Sequence, residues 1–334
     1  MDTLHSSSNT AGQAPQEQKA PEAVEPEAPT WLAFAGGSDV GCVREENQDS
    51  IFVPDEVPPE GALALFFLAD GMGGRKGGSI ASQTAIAMLQ QYFASHQDGD
   101  LKKALNDGVQ QASMAIYEKS EKDTQLRGMG TTIVALAVRE DRAVVANVGD
   151  SRCYLFRGGR LTQITEDHSL VAQQVRDGVL TPREAKNSPM RNLITKAAGA
   201  IPDVEPDLFP VDLLPGDVLL MCSDGLHGPV DEAQMAKVLA SRRSLNDQIQ
   251  ELLNRANRAG GPDNISVILV RKGGEAGLAS SRSPQGDDLT APLPSRFGGQ
   301  SGGSVNKTLK WVLLLFLALL AGAAVGVWWF LYKS

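Results

Sequence analysis

ALALFFLADGMGG, residues Ala62 to Gly74, sets an unbroken apolar run directly against Asp70 and the glycines that follow it. No polar residue interrupts Ala62 to Ala69, the pattern of a strand buried on both faces, since a strand with one wet face alternates. The expectation is a carboxylate at the tip of a rigid core strand, in a turn that only glycine-like backbone can make. Asp-Gly alone would serve equally well as a hairpin turn. The arrangement recurs, though. Ser223-Asp224-Gly225 follows the apolar run Val218 to Cys222, and Asp263 lies in Gly-Gly-Pro-Asp-Asn just before Ile265 to Val270. Three carboxylates at the ends of three core strands point to one site.

The chain has 334 residues, room for one large domain with accessories. A formal charge of -9 argues against a nucleic-acid binder, which would carry a basic face. The three cysteines are odd in number and lack metal-type spacing, which suits buried thiols in a reducing compartment. Four histidines and no HExxH or CxxC pattern argue against zinc. Carboxylates at strand ends suit hard cations, magnesium or manganese, which prefer oxygen ligands.

Residues 1–30 are rich in Ala, Pro, Glu and Gln and too poor in aliphatics to offset ordering entropy, so a disordered arm is expected. The folded domain is expected over residues 31–272. Within it, strands are expected at Leu32–Asp39, Ser50–Val53, Thr131–Arg139, Ala143–Asn147, Cys153–Arg157, Pro206–Val211, Asp217–Ser223 and Ile265–Val270. Helical spacing marks Gly78–Ser95, Leu101–Lys119, Asp231–Ala240 and Leu245–Ala259. The polar stretch from Asp167 to Gly199 reads as a mobile, helix-prone surface insertion. Strands, then paired helices, then strands again indicate an α+β fold. Residues 273–305 are rich in Gly, Ser and Pro and read as a flexible linker. In the last segment, residues 306–334, the uncharged apolar stretch Trp311 to Tyr332 spans roughly 22 residues, about 33 Å as a helix, enough to cross a bilayer. Trp311, Trp328, Trp329 and Tyr332 sit at its ends, as interfacial aromatics do. Lys307 and Lys310 precede it and Lys333 follows, which puts the amino-terminal side in the cytoplasm.

Laid end to end, the polar motifs are Arg44-x-x-Asn47-Gln48-Asp49, Ala69-Asp70-Gly71-Met72-Gly73-Gly74, Gly130-Thr131-Thr132, Asn147-Val148-Gly149-Asp150-Ser151-Arg152, Ser223-Asp224-Gly225 and Gly261-Pro262-Asp263-Asn264. In this order they resemble the protein phosphatase 2C family of metal-dependent serine/threonine phosphatases, in its bacterial form, over about Leu32 to Val270. The resemblance implies a four-layer α-β-β-α sandwich of two antiparallel sheets flanked by helix pairs, with two Mn2+ or Mg2+ ions in a cleft at one edge. It places the bridging ligand on Asp70 and the other carboxylates of the first ion on Asp224 and Asp263. The Gly71 carbonyl falls on the second ion, and Asp49 lies near both through water. Asp150, with Asp224, matches the pair that holds a weak third ion. Arg44 matches the arginine that grips the substrate phosphate, a task its planar fork of donors suits.

The activity so implied is hydrolysis of phosphoserine and phosphothreonine on cytoplasmic proteins, by a water that the two ions activate. It opposes a cognate serine/threonine kinase, and the apolar carboxy-terminal segment would anchor it as a single-pass protein of the bacterial inner membrane. Physical chemistry agrees: carboxylates crowded in a cleft repel one another unless divalent cations neutralise them. Two positions depart from relatives. Gln48 stands where many carry glutamate, so an ion contact there would be neutral. Met72 stands where animal relatives carry a histidine proposed as general acid, so the departing oxygen takes its proton from water or from another group.

Simpler roles exist for several of these residues. Arg44 could be a solvated surface arginine, Asp150 and Arg152 a structural turn, Asn264 a turn residue, and His168 an anchor for the insertion. A cysteine-based phosphatase is excluded, because none of Cys42, Cys153 or Cys222 is followed by arginine six residues later. GMGGRKGGS lacks the GxxxxGK[ST] spacing of a nucleotide loop. The stronger rival is a non-catalytic phosphatase-like sensor or phosphoprotein-binding module at the membrane. The presence of Asp70, Asp224 and Asp263 together argues against it.

Overall fold

The structure is a computed structural model and describes residues 30–273. The expected arm (apart from Thr30), the linker (apart from Gly273) and the apolar segment Trp311 to Tyr332 lie outside the described residues. Among the described residues no helix is long and apolar enough to cross a membrane.

In chain order the elements are β1 (Leu32–Asp39), β2 (Asp49–Phe52), β3 (Ala64–Met72), α1 (Gly74–Ser95), α2 (Leu101–Lys122), β4 (Gly130–Thr131), β5 (Ile133–Arg139), β6 (Arg142–Val148), β7 (Arg152–Arg157) and β8 (Arg160–Gln163). Then follow α3 (Leu170–Arg176), α4 (Pro182–Lys186), β9 (Asp207–Asp212), β10 (Val218–Cys222), α5 (Asp224–His227), α6 (Glu232–Leu239), α7 (Leu245–Arg258) and β11 (Ile265–Lys272). One sheet runs β1-β11-β10-β7-β8. The other runs β2-β3-β5-β6-β9, with β4 paired to β3. The strand pairings are antiparallel.

Three apolar layers explain why the core strands lack polar alternation. Ala64, Phe66 and Leu68 of β3 face the other sheet and meet Leu219, Met221 and Ile268 in one core cluster. Their alternates Phe67 and Ala69 face the other way, into a cluster with Leu89, Phe93, Leu105 and Ile116 of α1 and α2. On the far side Leu220, Val267 and Leu269 pack with Met235, Ile249 and Leu252 of α6 and α7. A strand sandwiched between a helix layer and a second sheet buries both its faces, so its sequence is apolar throughout. Helix, sheet, sheet, helix is thus the order of layers, as expected.

Several boundaries differ from the sequence reading. β3 does not stop at Ala69: it continues through Asp70, Gly71 and Met72, because β4 supplies a partner, with Gly71 opposite Thr131 and Met72 opposite Gly130. Asp70 therefore sits within a strand and not in a turn. The turn comes later, at Gly73 and Gly74, whose φ values of 124° and 63° are open to glycine and strained for other residues. Helix α1 starts at Gly74, four residues before the expected Gly78. The stretch expected as one strand from Thr131 divides at Thr132 into β4 and β5. Strand β8 and the single turn α5 were not expected. The insertion holds α3 and α4, the latter closed by a capping box in which Thr181 and Glu184 satisfy each other's backbone N–H groups. Both its ends are fastened: Ala198 exchanges backbone hydrogen bonds with Thr131, and the His168 N–H donates to the Gly149 carbonyl.

Candidate active site

The site is assembled at one end of the two sheets. In the β2–β3 pairing Asp49 lies directly opposite Asp70, a like-charge cross-strand pair that is unfavourable unless something neutralises it. The Asp70 backbone is pinned by the neighbouring threonines. Its N–H donates to Thr132 Oγ1 at 3.0 Å, and its carbonyl accepts from Thr131 Oγ1 at 2.8 Å and from the Thr132 N–H at 2.9 Å. Thr132 Oγ1 also shares a 2.8 Å hydrogen bond with Ser151 Oγ, which ties the Asp70 strand to the loop carrying Asp150.

Gly71 is held by close approach. A Cβ there would lie 2.0 Å from the Gly78 carbonyl oxygen and 2.7 Å from that of Gln48. The start of α1 and the loop before β2 thus press on this residue, and the Gly71 N–H donates to the Gln48 carbonyl. The Gln48 amide donates to the Gly74 carbonyl at 3.1 Å.

Asp224 opens α5, with one residue (Ser223) between it and the end of β10. At the other end of that turn, His227 Nε2–H donates to the Asp150 carbonyl at 3.0 Å, so Asp224 and Asp150 belong to one braced unit. Asp263 precedes β11 and accepts from Arg44 at 2.7 Å. The Arg44 loop is clamped by buried Asn264, whose Oδ1 accepts from the Gln48 N–H and whose Nδ2 donates to the carbonyls of Val40 and Glu46. Asp49 Oδ2 accepts from Ser223 Oγ at 2.8 Å.

Burial raises Asp70 well above the usual carboxylate range, and Asp49, Asp224, Asp150 and Asp263 add to the shift by repulsion. Burial also pushes Asp224 up to about 7, with Asp150, Asp263 and Asp49 adding and Arg44 opposing. Asp49 rises to about 6 through burial, held back by the hydroxyls of Ser266 and Ser223. Asp150 rises to about 6 through burial and the charge of Asp167. Asp49 Oδ1 and Asp224 Oδ1 are buried without a hydrogen-bond partner. Crowded carboxylates with partnerless buried oxygens are a donor set that fits hard divalent cations. Among the described residues no three His, Cys, Asp or Glu side chains yet close on one point as a ligand group: Asp263 is turned onto Arg44 and Asp49 onto Ser223.

The structure thus brings Arg44, Asp49, Asp70, Gly71, Asp150, Asp224 and Asp263 into one neighbourhood. Arg44 is raised in pKa by Asp263 first, and also by Asp224 and Asp70, which sets it on the rim of this cluster. Arg152 pairs with Asp167 at 2.7 Å, and its charge holds back the rise of Asp150. His168 accepts from the Gly149 N–H at 3.0 Å and pairs with Asp207 at 3.1 Å, so it anchors the insertion. The residues that sequence reasoning left without a part are Thr131, Thr132, Ser223 and His227, while Asn264, read as a turn residue, instead clamps the distant Arg44 loop. All but His227 stand inside the quoted motifs, but they act through backbone groups and neighbouring carboxylates, for which spacing gives no signal.

The family profile described as protein phosphatase 2C matches residues 43–269. A serine/threonine phosphatase, stp, of Listeria innocua is 36% identical over 241 residues, covering 70% of this chain and 94% of that one. The crystal structure of the Mycobacterium tuberculosis serine/threonine phosphatase PstP superposes with a TM-score of 0.67 at 38% identity, over 73% of this chain and 99% of that one. A structure of the PstP catalytic domain in complex with two manganese ions gives 0.64 at 37% identity, over 72% of this chain and 97% of that one. The chain belongs to the protein phosphatase 2C family.

Proposed function

We propose that the chain is a metal-dependent protein serine/threonine phosphatase whose site is the carboxylate cluster around Asp70, held at a membrane by its apolar carboxy-terminal segment. The observation that carries the reading is the crowding of Asp49, Asp70, Asp150 and Asp224, each raised in pKa by burial and, for Asp70 and Asp224, also by the neighbouring carboxylates, Asp49 and Asp150 among them. Such a cluster is unfavourable in a protein that has no cation to place there. Asp70, Asp224, Asp263 and the Gly71 carbonyl would hold two divalent ions, with Asp49 close by and Asp150 joining Asp224 at a weaker third. Bound there, Mn2+ or Mg2+ supplies Lewis acidity, which makes water nucleophilic near neutral pH and neutralises phosphoryl charge.

The chain's own part is to place and to shield. Arg44 offers its planar fork of donors to phosphoryl oxygens from the rim. The Thr131, Thr132 and Asn264 hydrogen bonds fix the two sides of the cleft before substrate arrives, so little reorganisation is needed in the transition state. The substrates are phosphoserine and phosphothreonine on proteins at the cytoplasmic face, and a serine/threonine kinase supplies them. The segment Asp167 to Gly199, fastened beside Asp70 and Asp150, selects among protein substrates. Phosphate release from p-nitrophenyl phosphate and from a phosphothreonine peptide tests the reading. Turnover with manganese that chelator abolishes is expected, and an inert, well-folded protein with both manganese and magnesium would refute it. Deleting the insertion is expected to slow the peptide more than the aryl phosphate, and equal losses would remove its selecting role.

A further inference from the structure

The insertion differs from the rest of the chain in charge and in exposure. Between Arg176 and Lys196 stand five basic residues and two acidic ones, in a chain of net charge -9. Of these, Lys196 is paired with Asp207, Arg176 lies 4.0 Å from Glu166, and Glu184 is engaged with Thr181 in capping α4. Arg183, Lys186 and Arg191 are exposed and enter no ion pair among the described residues. Interleaved with them are Val179, Met190 and Leu193, 66%, 53% and 50% exposed. Exposed, unpaired cations and exposed aliphatics close together in sequence are the composition of a binding surface.

The position of this surface limits what can use it. Its two ends are tied to the backbone of the site: Ala198 to Thr131, whose hydroxyl donates to the Asp70 carbonyl, and His168 to Gly149, the residue before Asp150. A polypeptide whose phosphorylated residue lies at Asp70 and Asp224 therefore extends past one side of the insertion. The carboxylate cluster itself repels acidic flanking residues, so a separate basic surface is what would let an acidic segment approach.

Resting on the phosphatase reading above, we infer that Arg183, Lys186 and Arg191, with Met190 and Leu193, form a docking surface for substrate segments that carry acidic or further phosphorylated residues together with an aliphatic one. It sets preference among phosphoproteins without touching the reacting phosphate.

The test uses the whole chain and two phosphothreonine peptides identical except that three flanking residues are Asp in one and Lys in the other. Turnover is measured with manganese, and peptide binding is measured separately by fluorescence anisotropy in chelator, where catalysis is silent. The acidic peptide is expected to show a KM about tenfold below that of the basic one, and to bind more tightly in chelator; three exposed charge contacts account for a preference of that order. Arg183→Glu, Lys186→Glu and Arg191→Glu combined are expected to remove or reverse the preference while kcat/KM for p-nitrophenyl phosphate stays unchanged. Equal use and equal binding of the two peptides, or a preference that survives the triple substitution, would overturn the inference. So would a triple variant that keeps the peptide preference but loses adhesion to phosphatidylserine vesicles, which would assign the surface to lipid. Loss of all turnover with the binding preference intact would count against the phosphatase reading and support the docking surface.

Discussion

Burial and the carboxylates of Asp150, Asp263 and Asp49 push Asp224 up to about 7, against about 3.9 for a free aspartate. Between those values the folded chain holds protons that the unfolded chain has released. Linkage then requires the stability of the cation-free protein to fall as pH rises from about 4 to about 7. Asp49 and Asp150, each raised to about 6, act in the same direction over the lower part of that window. The melting temperature in chelator is expected to drop between about pH 5 and pH 7.5, and manganese to restore it most at the upper end. A flat profile in chelator would contradict the crowding. Asp224→Asn removes one of the repelling charges, so in chelator at neutral pH it is expected to raise the melting temperature by about 2–4 °C while abolishing activity. Arg44 gives a complementary result. Its replacement by alanine is expected to lower kcat/KM on p-nitrophenyl phosphate by about 10²-fold or more, with lysine recovering only a small part because it lacks the planar fork.

Strand β3 is the element that unites core and site: Phe66 and Phe67 bury on its two faces, and three residues later it delivers Asp70. Gly71→Ala tests that union. The added Cβ would meet the Gly78 carbonyl oxygen at 2.0 Å, which forces α1 away from β3. A loss of about 3 kcal/mol in urea unfolding is expected, and a variant as stable as the parent would show that the close approach is dispensable. The core strands were legible because burial on two faces leaves an unbroken apolar run. The carboxylates were legible because each follows or precedes such a run. Other elements left no such trace. β8 is four residues long with Leu161 its one buried side chain, and α5 is a single turn; neither is long enough to show a period. The extension of β3 past Ala69 depends on pairing with β4, a non-local event. The attachment of the insertion rests on the backbone bonds between Ala198 and Thr131, which no side-chain pattern announces. Asn264 was expected to make local turn hydrogen bonds, but its side chain reaches more than 200 residues back in the chain, to Val40, Glu46 and Gln48 of the Arg44 loop, a contact that local sequence does not announce.

At the scale of the molecule, a four-layer sandwich presents its acidic cluster at one end of the two sheets. On the proposed anchoring, the site works close to a membrane surface. Ending the chain after Lys272 is expected to move it from the membrane fraction to the soluble fraction with activity on p-nitrophenyl phosphate retained, and a truncated chain that still sediments with membranes would remove the anchor. On the proposed reading, Asp70 and its neighbours hold the cations that make this family member a phosphatase. The most direct measurement is manganese binding by calorimetry together with phosphate release from a phosphothreonine peptide, on the same samples of the parent chain and Asp70→Asn. Tight binding and turnover in the parent, both lost in the variant with its fold intact by circular dichroism, is the predicted result. Turnover that persists in Asp70→Asn, or a parent that binds manganese and releases no phosphate, would contradict it.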